Sequence, residues 1–126
     1  MADAPTVLVV DDDEFQRKLI ARILEAAGYR LELAANGGEA MAVLEQRLPD
    51  LILMDFLMPE LNGVEVIRRI RSHPAYAAIP VIMITGNGER EVVLDILKSG
   101  VVDFVLKPFD RITLIDKLAR ALQRSP

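Results

Sequence analysis

Five short apolar runs recur along the chain, at Thr6–Val10, Arg30–Ala34, Leu51–Met54, Val81–Ile84 and Val102–Leu106. Each has the length of a strand, and the segments between them carry apolar residues at helical spacing. In the first such segment Phe15, Leu19, Ile23 and Ala26 form a stripe, which Ile20 and Leu24 widen. Asp13 stands ahead of it with Gln16 three residues on, the spacing of a capping box, and Gly28 closes it. A second helix is predicted from Gly38 to Leu48, stopped by Pro49. A third follows Asn62-Gly63 and carries Val64, Ile67 and Ile70. A fourth runs from Glu89 to Ser99 and ends at Gly100. The fifth starts near Asp110, with Ile112, Ile115, Leu118 and Leu122 on one stripe. Strand and helix therefore alternate five times, which calls for a parallel sheet with right-handed crossovers.

The strands differ in a way that predicts their order. Val7–Val10, Leu51–Met54 and Val81–Ile84 are continuously apolar, as strands covered on both faces must be. Arg30-Leu31-Glu32-Leu33 alternates and Val102-Asp103-Phe104 contains a charge, so the second and fifth strands belong at the edges. The expected fold is α/β and doubly wound, a five-stranded parallel sheet in the order 2-1-3-4-5 with helices on both faces. That order places a ligand crevice at the carboxyl ends of the first and third strands, where the winding direction reverses.

Composition narrows the picture further. With 126 residues the chain is expected to form one domain, 1–126, with an ordered core at about 5–123. An apolar share of 52% with aromatics at only 5% predicts an aliphatic core. The absence of Cys excludes disulfides, thiolate metal sites and Cys nucleophiles, and a single His excludes a multi-His metal site. No apolar run approaches a membrane span, and the start, Met1-Ala2-Asp3, lacks the basic flank of a signal peptide. A net charge of −4 argues against nucleic acid as the direct partner. A soluble, cytoplasmic, acidic domain without membrane insertion is the expectation.

Chemistry concentrates at the predicted crevice. Asp11-Asp12-Asp13 follow the first strand and Asp55 follows the third. Asp13 suits a helix N-cap. Asp11 and Asp12 precede that cap, and Phe56-Leu57-Met58-Pro59 after Asp55 is no helix start. Carboxylates converging on one crevice repel one another unless a cation neutralises them. With no His or Cys nearby the cation must be a hard one, and Mg²⁺, which keeps waters and accepts phosphate oxygens, leads. Thr85 after the fourth strand offers a hydroxyl and Lys107 after the fifth an ammonium. Carboxylates, a hydroxyl and a lysine around one metal make a phosphoryl-transfer set with a carboxylate nucleophile.

Val-Val-Asp-Asp-Asp at 9–13, Leu-Ile-Leu-Met-Asp-Phe-Leu-Met-Pro at 51–59, Met-Ile-Thr-Gly at 83–86 and Val-Leu-Lys-Pro-Phe at 105–109 resemble the receiver domain of two-component response regulators over essentially the whole chain. The resemblance implies a flavodoxin-like (βα)5 sandwich and a phosphorylation-dependent switch of the chemotaxis-regulator kind, a phosphoprotein that is no enzyme beyond its own phosphorylation and dephosphorylation. It assigns Asp55 as phospho-acceptor, and Asp11, Asp12, Asp55 and the backbone carbonyl of Leu57 as the Mg²⁺ shell, Asp12 more directly than Asp11. Thr85 and Lys107 would each meet a phosphoryl oxygen, and the Lys107-Pro108 bond would be cis. The donor would be a sensor histidine kinase or a histidine phosphotransfer protein. Thr85 would then move toward the acyl phosphate and Phe104 turn into the space it leaves. A downstream protein would read the face of the fourth helix, fifth strand and fifth helix, where Glu91, Asp95, Asp103, Arg111 and Lys117 are candidates. The end at Ser125-Pro126, soon after the fifth helix, leads to the expectation of no output domain.

The chain departs from that pattern in places. Leu57 is apolar where many relatives are polar, Gly86 replaces a common Ala, and Phe104 lacks the hydroxyl of a frequent Tyr. Leu57 would hinder an attacking water while Asn87 could place one. His73 reads as a helix-end residue, Arg68, Arg69 and Arg71 as a solvated charge run, and Met54 and Met58 as core. Three other functions compete. A receiver-like module that never carries phosphate would be expected to lose one of the five polar residues. A phosphatase with an aspartyl intermediate wants a second carboxylate where Leu57 stands. A flavodoxin-like FMN binder needs a hydroxyl-rich phosphate loop after the first strand, where three aspartates would repel the phosphate.

Overall fold

The computed structural model describes residues 4–59 and 62–124, so the two ends read above, Met1-Ala2-Asp3 and Ser125-Pro126, lie outside the described residues. Five strands, β1 (Thr6–Val10), β2 (Arg30–Ala34), β3 (Leu51–Asp55), β4 (Val81–Thr85) and β5 (Asp103–Leu106), form one parallel sheet in the order β2-β1-β3-β4-β5. Five helices alternate with them: α1 (Glu14–Ala26), α2 (Gly37–Gln46), α3 (Gly63–Ser72), α4 (Arg90–Lys98) and α5 (Arg111–Arg124). The doubly wound α/β architecture is the one expected. All five residues of β3 and of β4 are buried, whereas the edge strands β2 and β5 expose positions along their length.

Alternation along the strands sorts the aliphatic side chains into two cores. Leu8, Val10, Ile52, Met54, Val81 and Met83 face α2, α3 and α4, where they meet Leu44, Ile67, Ile70 and Ile96. Val7, Val9, Leu51, Leu53, Ile82 and Ile84 face the other way, onto Ile20 and Leu24 of α1 and Leu114, Leu118 and Ala121 of α5. Burial on both faces is why the central strands had to be continuously apolar.

Several local readings need correction. The α1 stripe is rotated: Ile20, Ala21 and Leu24 are buried, while Phe15 is 78% exposed and Leu19 faces solvent beside it. On α5, likewise, Ile112 is 79% exposed and the buried positions are Leu114, Leu118 and Ala121. Asp13 caps α1 by accepting from the Phe15 N–H (3.0 Å), but Gln16 does not return the bond; its amide reaches Asp11 instead. α2 starts at Gly37, one residue before the expected start, because Asn36 accepts from the Glu39 N–H (2.8 Å) and so caps it. It ends at Gln46 rather than Leu48, the cap Arg47 already being extended. β5 begins at Asp103, not Val102.

Arg71 is no solvated charge. Its guanidinium donates to the carbonyls of Ala77 (3.0 Å), Ile79 (2.8 Å) and Gly100 (2.9 Å), tying the α3–β4 connection to the turn that ends α4. Gly100 has a φ of 102°, the left-handed conformation that glycine adopts freely at a helix end. His73 caps the C-terminus of α3 and stacks on Tyr76 with ring centroids 4.0 Å apart.

Candidate functional site

The switch point of the sheet lies between β1 and β3, and the acidic residues emerge there because both strands end side by side, with Val10 paired to Met54. Asp55 is the last residue of β3, and Asp11 and Asp12 directly follow β1. Asp11 is 1% exposed and Asp55 4%, while Asp12 faces solvent. One carboxylate oxygen from each of the three lies within 4.8 Å of the others. Lys107, just beyond β5, places its Nζ 3.0 Å from Asp55 Oδ1. Its peptide bond to Pro108 is cis.

α3 can start close to this corner only because Gly63 carries no side chain. A Cβ there would stand 2.8 Å from the Asp55 carbonyl oxygen and 2.5 Å from Met83 Sδ. Asn62 and Glu65 close a full capping box at the same helix start.

Charge at the site is unbalanced. The Asp55 carboxyl is raised to about 6, chiefly by burial, with Lys107 pulling it down and the neighbouring Asp11 and Asp12 pushing it up. Three carboxylates against one ammonium leave a local negative excess inside a partly desolvated corner. An all-oxygen set of this kind fits a hard divalent cation such as Mg²⁺, with Asp11, Asp12 and Asp55 as its protein ligands.

The remaining residues singled out in the sequence take varied places. Thr85 is buried at the end of β4, where its hydroxyl oxygen accepts from the Asn87 N–H (3.0 Å) rather than meeting Asp55. Leu57 stands in the loop after Asp55 with its side chain 75% exposed. Phe104 is half-buried, packed against the core on the α4 side of the sheet. Lys117 lies 5.3 Å from its ring centroid and donates to the Phe104 carbonyl (2.6 Å) and to Asp103 (3.3 Å). Gln16 and Arg17 were missed as site residues. Both reach Asp11, Gln16 at its carboxylate and Arg17 at its backbone carbonyl, 2.7 Å away. In the sequence Gln16 stands three residues after Asp13, at cap spacing, and reads there as a capping residue.

Residues 7–119 match the family model described as response regulator receiver domain. The chain is 39% identical over 120 residues to the phosphate regulon transcriptional regulatory protein PhoB of Pseudomonas aeruginosa, covering 95% of this chain but 52% of that protein. The chain thus spans about half the length of that curated relative. It is 33% identical to the chemotaxis protein CheY of Bacillus subtilis, covering 94% of this chain and 98% of that one. Among solved structures, the receiver domain of sensor histidine kinase PA1611 from Pseudomonas aeruginosa PAO1 superposes with a TM-score of 0.88 at 32% identity, covering 95% of this chain and 98% of that chain. That structure has a magnesium ion coordinated in its active site cleft.

Proposed function

The chain belongs to the response regulator receiver domain family of two-component signalling, and from that membership we propose that it is a phosphorylation-dependent switch whose acceptor is Asp55. One observation carries the reading: a carboxylate 4% exposed at the end of β3, flanked by Asp11 and Asp12 and paired with Lys107. A histidine kinase or a histidine phosphotransfer protein is the proposed donor.

The chemistry follows from what each residue can do. Lys107 occupies Asp55 Oδ1, which leaves Oδ2 as the nucleophile. Oδ2 forms the new O–P bond as the P–N bond of a phosphohistidine breaks, and the electron pair of that bond returns to the imidazole. When bound, Mg²⁺ neutralises the carboxylates and the phosphoryl oxygens together. Asp11, Asp12, Asp55 and the Leu57 carbonyl are the groups proposed to hold it. Lys107 can shift from the carboxylate to a phosphoryl oxygen, following the charge.

Phosphorylation brings extra negative charge into a corner that is already negative. To donate to the new oxygens the Thr85 hydroxyl must turn its proton away from the Asn87 carbonyl, which it now meets at 3.4 Å, and this loosens the β4–α4 connection. Phe104, half-buried beside it, is the side chain free to fill the vacated space. The change would be read by a downstream protein on the α4–β5–α5 face. Among the described residues no helix is long and apolar enough to cross a membrane.

Incubation with a small phosphodonor, with and without Mg²⁺, tests this by intact mass. Uptake of one phosphoryl group that needs Mg²⁺ and is lost in Asp55→Asn is expected. No uptake from a small donor or from a histidine kinase would overturn it in favour of a fixed interaction module. Steady release of phosphate from a foreign ester would point to a phosphatase.

A further inference from the structure

We propose that Gln16 is a positioning residue for the cation site, holding the Asp11 carboxylate in the orientation from which it serves a divalent ion. The inference rests on the reading that Asp11, Asp12 and Asp55 hold such an ion. Both oxygens of the buried Asp11 carboxylate are engaged by the start of α1. Oδ1 accepts from the Asp13 N–H (2.9 Å), and Oδ2 accepts from Gln16 Nε2. An ionised carboxylate only accepts, so the amide end turned toward it is the NH₂ group. One residue on, Arg17 Nη1 donates to the Asp11 carbonyl. Consecutive residues of one helix therefore grip the side chain and the main chain of Asp11 separately.

Asp12 makes the contrast. It is exposed, and among the described residues its carboxylate takes part in no hydrogen bond or ion pair. Of the two acidic residues after β1, one is fixed before any ion arrives and the other adjusts to it. A carboxylate oxygen keeps a further lone pair beside the one that Gln16 uses, so Asp11 can serve an ion directly or through water without releasing the amide. Without Gln16 only the Asp13 N–H holds the carboxylate, and more of the cost of ordering it falls on the binding step. Outer partners of metal ligands typically change metal affinity by about 10–100-fold.

Gln16 also lines a groove of about 400 Å³ with Leu19, Ile23, Lys107, Pro108 and Phe109, so an apolar side chain of similar size has room there. The test is titration calorimetry of MgCl₂ into the metal-free full chain, for the wild type, Gln16→Met and Gln16→Leu. Unfolding midpoints in EDTA are measured beside it. The expected result is a Kd for Mg²⁺ weaker by about tenfold in both variants. An unchanged Kd with a lower midpoint in EDTA would make Gln16 a structural tie and overturn the proposal. A tighter Kd would overturn it too, by showing that the amide competes with the ion for Oδ2. No binding by the wild type would overturn the cation reading itself, whereas binding that the variants leave untouched overturns only the role of Gln16.

Discussion

Replacing Asp55 with Asn removes the buried charge while keeping the shape of the side chain. Burial is the largest cause of the raised Asp55 pKa, with Lys107 opposing it and Asp11 and Asp12 adding to it, and the value moves from an ordinary 3.8 to about 6. Between those two values the folded chain holds more protons than the unfolded one. Stability must therefore fall as pH rises through this window and level off above about pH 6. At about 1.36 kcal/mol for each tenfold change in proton affinity, the loss is about 3 kcal/mol. That is a substantial part of the roughly 5–15 kcal/mol by which a domain is stable. Asp55→Asn lacks this slope. It should match the wild type near pH 4 and exceed it at pH 7.5 by about 2 kcal/mol, somewhat less than the full amount because part of the loss already lies below pH 4. Urea unfolding of both proteins in metal-free buffer from pH 4 to pH 8 measures this, since titrating groups remote from residue 55 cancel in the difference. Mg²⁺ should close the gap at high pH by stabilising the wild type. Parallel pH profiles for the two proteins would refute the reasoning.

Other expectations follow from single contacts. Lys107→Met removes the donor 3.0 Å from Asp55 Oδ1 and should move the Asp55 pKa above its present value, as read by carboxyl ¹³C NMR in metal-free buffer; an unchanged value contradicts the pairing. Arg71→Ala strands three carbonyls and should cost about 2 kcal/mol in urea unfolding, with Arg71→Lys recovering less than half because an ammonium cannot span the same fork. Gly63→Ala puts a methyl group against Met83 Sδ and the Asp55 carbonyl and should cost about 1–3 kcal/mol, with little change in helix content by circular dichroism.

What the sequence made legible and what it hid divide along physical lines. The edge strands followed from composition, because burial on both faces forces continuous apolar runs in Val7–Val10, Leu51–Met54 and Val81–Ile84, and the doubly wound pattern supplied the order of the rest. Helical phase did not follow, because α1 carries apolar residues on more than one face. Phe15 and Leu19 fit the helical period as well as Ile20 and Leu24 do, and only packing against β1 and β3 selects the inner pair. The acidic cluster was readable because strand ends in a known order have known neighbours. Its supports were not. Gln16 at cap spacing and Arg71 in a charged run had ordinary local explanations, and their actual partners, Asp11 and Gly100, are set by tertiary approach.

The central claim is that Asp55 becomes an acyl phosphate. Borohydride reduction converts an aspartyl phosphate to homoserine, so the most direct measurement is peptide mass mapping after phosphodonor treatment and reduction. The account predicts homoserine at position 55, present only when Mg²⁺ accompanied the donor. Modification at Asp11, Asp12 or any other carboxylate, or none at position 55 in a chain that has taken up phosphate, would contradict it.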